Sequence, residues 1–406
     1  MNILVIGNGF DIEHGIPSSY KNFLDFIVIF KNVYCCRGTI EKVDKAKQKA
    51  FFTQRLEEIS NIYRDIFGLW NTNESIDPLF REFYDMISDN YWINYFTDPI
   101  ARLEGKSNWV DMEAEILHVI QTLTEKREII MQSGFDVTAM HNLNEKGKKF
   151  LPLFMDRVMN GWSETGGKVE RKQQMSYWQQ MKVVLQDDFS KLIRALELYI
   201  NYFIDFDKVN KRNIFDGIEF DYLITFNYTN TYRTLYDRTI SQDFIHGQAQ
   251  ANRNKEDSNV VLGIEEFLDE GQKDRDIEFI GYRKYYQRIV KHCDFSYRTV
   301  LNKPQNSLSI WFFGHSLALS DKDILINLLP SSNLASQFSK TPKNNVQKAY
   351  ICYYNQQTLE QQVVNLVQIL GQDALNDLVC GANPKIEFVF QGDFKRKRTI
   401  AMNAER

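Results

Sequence analysis

The feature that most restricts this chain is a set of short apolar runs that stop at a turn residue. Ile3 to Gly7 (ILVIG) is the first; Tyr222 to Phe226 (YLITF), Ser309 to Phe313 (SIWFF, followed by Gly314) and Ala349 to Tyr354 (AYICYY) come much later. Continuous rather than alternating apolar character marks a strand covered on both faces, the habit of parallel sheets flanked by helices. Phe244 to His246 and Val260 to Leu262 read as further strands, and Ile386 to Phe390 as an edge strand. Between the first run and the rest, Glu41 to Arg212 is rich in Glu, Lys, Gln, Leu and Ile. Its apolar residues fall at helical spacing, Phe51, Leu56, Ile59, Ile62 and Ile66 among them. Helices are also expected over roughly Tyr20 to Phe30, after the breakers Gly15 and Pro17, and over Glu265 to Val300 and Leu359 to Leu370. The expected fold class is α/β: a Rossmann-like, mainly parallel sheet with helices on both faces. It would be built from residues 1–40 and 213–406 and interrupted by a large, mostly helical insertion at 41–212.

Composition narrows the function classes. With 43% apolar and 14% aromatic residues over 406 positions, the chain can bury a sizeable core. A net charge of -4 gives no global pull toward nucleic acid or an anionic membrane, although Lys395 to Arg398 form a local basic run near the C-terminus. The five cysteines are odd in number and include no Cys-x-x-Cys pair, so neither a disulfide framework nor a thiolate zinc site is expected. The longest apolar stretch, around Phe23 to Phe30, carries Asp25 and is too short to span a bilayer. The opening has neither a basic n-region nor a cleavage site. A soluble, cytoplasmic protein with reduced thiols is the expectation.

The residues that can carry chemistry sit where strands end. Gly7-Asn8-Gly9-Phe10-Asp11 follows the first strand; glycines permit a tight turn and close backbone approach, and a helix start suits a phosphate. The third glycine of the usual dinucleotide fingerprint is absent, Ile12 standing in its place, and Asp11 could instead cap the helix. Asn227, in Thr225-Phe226-Asn227-Tyr228-Thr229, brings an amide that donates and accepts, or it merely starts a turn. His246, beside Gly247, could take a proton near neutral pH, or fill a structural place. Gly314-His315-Ser316-Leu317 could hold a phosphate or ribose; Asp321 and Asp323 could read ribose hydroxyls or favour the start of the next helix. Shared placement at the exits of one sheet points to a nucleotide site.

The opening ILVIGNGFDIEHGIPSSYKNFLDF resembles the start of the AbiH abortive-infection family. LITFNYTNTY, IHG, LGI and FGHSLALSDKDIL resemble its later blocks, and Asn108 to Glu113 (NWVDME) another. The resemblance implies phage defence through arrest or death of the infected cell, with a phage-derived trigger or partner and a homo-oligomer as compatible partners. The same blocks are more distantly similar to the sirtuin-like NAD-binding fold. Gly7 to Pro17 matches its Gly-Ala-Gly…Gly-Ile-Pro loop, including Gly15; Asn227 falls on the Asn facing the nicotinamide ribose; His246 falls on the catalytic His; Gly314 to Leu317 is similar to its Gly-Thr-Ser-Leu. Asp11 replaces a small hydroxyl residue there, Thr229 replaces an Asp, and the zinc cysteines of the protein deacylases are absent.

This resemblance implies an NAD glycohydrolase that needs no metal. Asn227 and His246 would be catalytic; Gly7, Asn8, Gly9, Phe10, Asp11, Gly15, Thr229, Gly314, His315, Ser316 and Asp321 would bind the nucleotide. Two alternatives stay open: a sensor of NAD or an ADP-ribose-type nucleotide without turnover, and a metal-dependent nucleic-acid effector using Asp11, Asp111 and Glu113.

Overall fold

The computed structural model describes residues 1–35, 45–64, 78–97, 111–133, 174–215, 217–268, 271, 276–303, 308–331 and 345–393. Asn108 to Val110, His141 and the basic run Lys395 to Arg398 lie outside them. The chain divides into two compact units: Met1–Ile16 with Phe206–Gln248 and Arg288–Arg406, and Pro17–Asp205 with Ala249–Gln287.

The first unit is built on one six-stranded sheet, β1 (Asn2–Ile6), β2 (Tyr222–Thr225), β3 (Ser241–Phe244), β4 (Ser309–Phe313), β5 (Lys348–Tyr353) and β6 (Ile386–Phe390). Their order is β3-β2-β1-β4-β5-β6 and every neighbouring pair is parallel. The first strand therefore lies centrally, Ile3 between Tyr222 and Ile310 and Ile6 between Thr225 and Phe313.

The side-chain period of two sorts this sheet into two cores. Ile3, Val5, Ile224, Ile310, Phe312 and Ile351 point to one face. There they meet Tyr297 and Leu301 of the helix Ser296–Asn302, Ile324, Leu325 and Leu328 of Lys322–Leu328, Leu366 and Ile369 of Gln356–Leu370, and Leu375 and Leu378 of Gln372–Cys380. Leu4, Ile6, Leu223, Trp311, Phe313, Cys352 and Val389 point to the other face and meet Phe10, Phe215, Phe220 and Tyr232. Both faces are covered, which is why the strands read as unbroken apolar runs. Each fully buried aliphatic side chain contributes about 1.5–3 kcal/mol.

Three expectations on secondary structure are corrected. Val260 to Leu262 is fully buried but joins no ladder. Its Leu262 carbonyl accepts from Gln287 Nε2 at 2.6 Å, and one isolated bridge, Ile264 to Arg283, follows. Glu265 to Val300 is not one helix: among the described residues it contains a short 3-10 turn, Ile280–Tyr282, and the helices Lys284–Val290 and Ser296–Asn302. The third strand starts earlier, at Ser241, leaving His246 in the turn that follows it.

The second unit is helical, with Tyr20–Cys35, Lys45–Ile59, Pro78–Ile87, Tyr91–Thr97, Met112–Ser133 and Gln174–Leu198. Phe26, Phe30, Phe80, Phe83 and Phe203 pack their rings together at its centre. The long last helix passes into a π-turn, Tyr199–Phe203, where Tyr199 donates its hydroxyl to Pro17 O at 2.6 Å. Arg194, on the same helix, is wholly buried and spends all its nitrogens. Nε donates to Glu82, Nη1 to Glu197 and Gln250 O, and Nη2 to Glu82 and Ala251 O. Among the described residues no helix is long and apolar enough to cross a membrane.

Candidate functional site

Strand β1 is followed by Gly7, and the helix Asn8–Glu13 begins at once. The loop leans on the loop after β4. Gly7 N–H donates to Phe313 O at 3.2 Å and Gly9 N–H to Gly314 O at 2.8 Å, while Phe10 N–H turns back to Gly7 O at 2.9 Å. A Cβ on Gly9 would lie 2.7 Å from Gly314 Cα, and one on Gly314 would lie 2.3 Å from Phe10 N. These glycines are required by loop-on-loop packing, and the three amides are bonded within the protein. Asn8 is half-buried. Phe10 is a core residue, its ring set among Phe215, Tyr232, Tyr236 and Phe313. Gly15 is exposed at φ +73°, ending the short helix. Nearby, burial lowers the pKa of His14, whose Nδ1–H donates to Phe10 O at 2.7 Å.

Asp11 is buried, and its carboxylate accepts from Thr229 Oγ1 at 2.8 Å and Thr231 Oγ1 at 2.8 Å. Asp11 and Thr229 are thus partners of each other, in one contact between the segments that follow β1 and β2.

Asn227 follows β2. Its Nδ2 donates to Gly7 O at 3.0 Å, tying the exit of β2 to that of β1. Residue 226 then brings two imidazoles together: the ring of Phe226 stands edge-on to His246 at 5.4 Å and to His315 at 4.2 Å. His246 leaves β3 through a turn closed by Gly247, at φ +75°, whose N–H donates to Phe244 O. Its Nε2 lies 3.1 Å from Asp321 Oδ1, and both residues are buried. Asp321 stands at the N-cap of the helix Lys322–Leu328. A carboxylate oxygen only accepts, so Nε2 is the nitrogen that donates to Asp321.

The loop after β4 is held in an unusual shape. Gly314 has φ +64°, and Leu317, a buried non-glycine residue, has φ +55°. Such a conformation costs on the order of 1–3 kcal/mol and persists only when its surroundings enforce it. His315 Nδ1 accepts from Leu317 N at 2.9 Å. Two amides of the helix Gln356–Leu370 clamp the loop backbone: Gln362 Nε2 donates to His315 O at 3.0 Å and Cys352 O at 3.1 Å, and Asn365 Nδ2 to Ser316 O at 2.9 Å. The Ser316 side chain is exposed. Replacing Gln362 by Leu is expected to cost about 1–3 kcal/mol by removing a buried donor that serves two carbonyls. Chemical denaturation checks this, and an unchanged midpoint would remove the clamp from the account.

The sequence thus placed Gly7, Asn227, His246, Gly314 and Asp321 at strand exits, and the structure joins them through these contacts. Phe226, Thr231, Gln362 and Asn365 were not singled out; Gln362 and Asn365 carry a readable signal, as polar residues on the buried side of an amphipathic helix. Asp111 and Glu113 are engaged elsewhere. Asp111 Oδ1 caps Ala114 N at 3.0 Å, and Glu113 pairs with Lys284 Nζ at 2.8 Å. Among the described residues no group of three or more His, Cys, Asp or Glu is placed to hold a metal ion.

A parallel sheet ordered 3-2-1-4-5-6, with polar side chains gathered at its carboxyl end, defines a doubly wound α/β protein of the Rossmann-like class. Within that class the chain belongs to the bacteriophage abortive infection AbiH family, whose model matches residues 3–339. No curated protein and no solved structure matches the chain significantly.

Proposed function

We propose that this chain serves bacteriophage abortive infection by hydrolysing NAD at the carboxyl end of its sheet. Strand order supports a nucleotide there, because ligands of such sheets bind where the order reverses, here between β1 and β4. The observation that carries the reading is the buried His246–Asp321 pair, 3.1 Å apart, an imidazole held in one tautomer by a carboxylate.

In this reading, water attacks C1′ of the nicotinamide ribose as the bond to the pyridine nitrogen breaks. Nicotinamide leaves as a neutral molecule, and the proton of the attacking water passes to His246 Nδ1, directly or through a ribose hydroxyl. Asp321 stabilises the imidazolium that forms. Asn227, its amide nitrogen anchored on Gly7 O, offers Oδ1 to the ribose or the water. Depletion of NAD stops the infected cell.

A second reading is binding of NAD or ADP-ribose at the same strand exits without turnover. Incubation of the pure chain with NAD separates the two. Nicotinamide release is expected, falling roughly 100- to 10,000-fold in His246→Ala and in Asp321→Asn. Saturable binding with no release would move the assignment to a sensor; neither binding nor release would sink both. In cells, His246→Ala is expected to lose protection against phage.

A further inference from the structure

Beyond the carboxyl ends of β5 and β6 lies a pocket of about 300 Å³. It belongs to the first unit, and β6 closes the strand order that β3 opens, so it is distinct from the site built around His246. Its wall carries Glu13, the last residue of the helix Asn8–Glu13, Asn213 and Ile214 ahead of β2, Tyr354 after β5, and Phe390 and Gln391 at the end of β6. Two aromatic rings therefore border the cavity while largely in water, Tyr354 at 66% exposure and Phe390 at 42%. The Phe390 ring is nevertheless fixed. Its centre lies 5.7 Å from that of the Tyr353 ring, and it folds back over Gly392, where a Cβ would meet Phe390 Cε1 at 2.6 Å. An exposed ring held in place by its surroundings is a surface ready for stacking.

The polar group on this wall is the Glu13 carboxylate. Its Oε1 accepts from Arg212 Nη1 at 3.3 Å and its Oε2 from Gln391 Nε2 at 3.0 Å. A carboxylate has about four lone-pair positions, so each oxygen keeps room for a ligand donor while these two partners hold the group still. Such a wall asks for a flat molecule with two donors side by side. An organic cation such as a guanidinium has them, but positive charge is already in place. Arg212 sits on this carboxylate, and the Lys211 ammonium lies 4.9 Å from the centre of the Tyr236 ring, whose hydroxyl donates to Arg212 O. Among neutral nucleobases, the amino group of adenine has an acceptor nitrogen on either side and that of cytosine has one beside it; a carboxylate repels both. Guanine sets N1–H next to its 2-amino group, at the spacing of two carboxylate oxygens. Its O6 is an acceptor, which the Asn213 amide on the same wall can serve.

We propose that this pocket binds the guanine base of a nucleoside or nucleotide. N1–H and the 2-amino group donate to the Glu13 carboxylate, and the base stacks on the rings of Tyr354 and Phe390. The sugar and any phosphate stay outside, toward solvent. No covalent bond is made or broken. The site is independent of NAD hydrolysis and stands or falls without it.

Calorimetric titration of the full chain with GMP, IMP and AMP tests this, because these nucleotides share one ribose and one phosphate and differ only in the base. GMP is expected to bind at least about tenfold more tightly than IMP, which lacks the 2-amino group, and AMP to bind more weakly still. Glu13→Gln keeps the shape of the wall but removes its charge and turns an N–H toward the ligand, so GMP binding should fall at least about tenfold. Should that variant fail to fold, Tyr354→Ala decides. Its ring is mostly in water, so the midpoint of unfolding should stay that of the parent, while GMP binding weakens at least about fivefold through lost stacking. Equal affinities for the three nucleotides, GMP binding that survives either substitution in a folded chain, or no saturable binding of GMP would overturn the site.

Discussion

Gly314→Ala is expected to destabilise the folded chain by about 2–5 kcal/mol, a large share of the 5–15 kcal/mol that holds a typical domain together. Two costs add. The left-handed backbone at φ +64° is worth roughly 1–2 kcal/mol against any residue with a Cβ. That Cβ would also lie 2.3 Å from Phe10 N and 2.6 Å from Gly9 C, both backbone atoms of the loop leaving the central strand. Neither can turn aside as a flexible side chain would, so β1 and β4 would have to part at their carboxyl ends, with overpacking costs on the order of 1–3 kcal/mol. Gly15 separates the two contributions. It has a similar φ, +73°, but nothing within 4 Å of its Cβ position, so Gly15→Ala should cost only the conformational share. Denaturant unfolding of both variants measures the difference. Equal losses would mean that the loops after β1 and β4 do not meet as described.

The same pair of loops shows what could be read from the sequence. Residues such as Ile3 to Ile6 were legible because a strand covered on both faces needs apolar residues throughout. Val260 to Leu262 misled for the same reason: it is just as buried, but its carbonyl partner is the side chain of Gln287, which no local pattern announces. Asp243 lies on β3, an edge strand with little apolar character, and its burial is made tolerable by Tyr222 and Tyr297, the latter 54 residues away. The glycines, Asn227 and His246 could be placed because turn chemistry at strand ends is local. The choice of Asp321 over Asp323 as the partner of His246 could not, since the two are two residues apart and only the approach of β3 decides between them. Asp11 and Thr229 stand 218 residues apart, and only the fold reveals that they form one buried contact.

The second large effect lies in the helical unit, at a charge rather than a backbone position. Arg194→Met should cost about 3–5 kcal/mol, because it strands a carboxylate that cannot reach water. Glu197 is fully buried and pairs with Arg194 Nη1 at 2.8 Å, whereas Glu82, 28% exposed, can turn to solvent. The carbonyls of Gln250 and Ala251 each lose a donor as well. Adding Glu197→Gln to the arginine variant should therefore restore roughly 1–3 kcal/mol: it removes the unpaired charge yet keeps an oxygen to accept from Gln250 N, now 3.0 Å from Glu197 Oε1. Lys21→Met offers the contrast. Lys21 pairs with Asp25 one helical turn away on the surface, and its loss should be worth about 0.5 kcal/mol or less. Denaturant midpoints for the four chains decide the matter. If the double variant is less stable than Arg194→Met alone, the penalty comes from lost packing around the helix Gln174–Leu198 and not from a stranded charge.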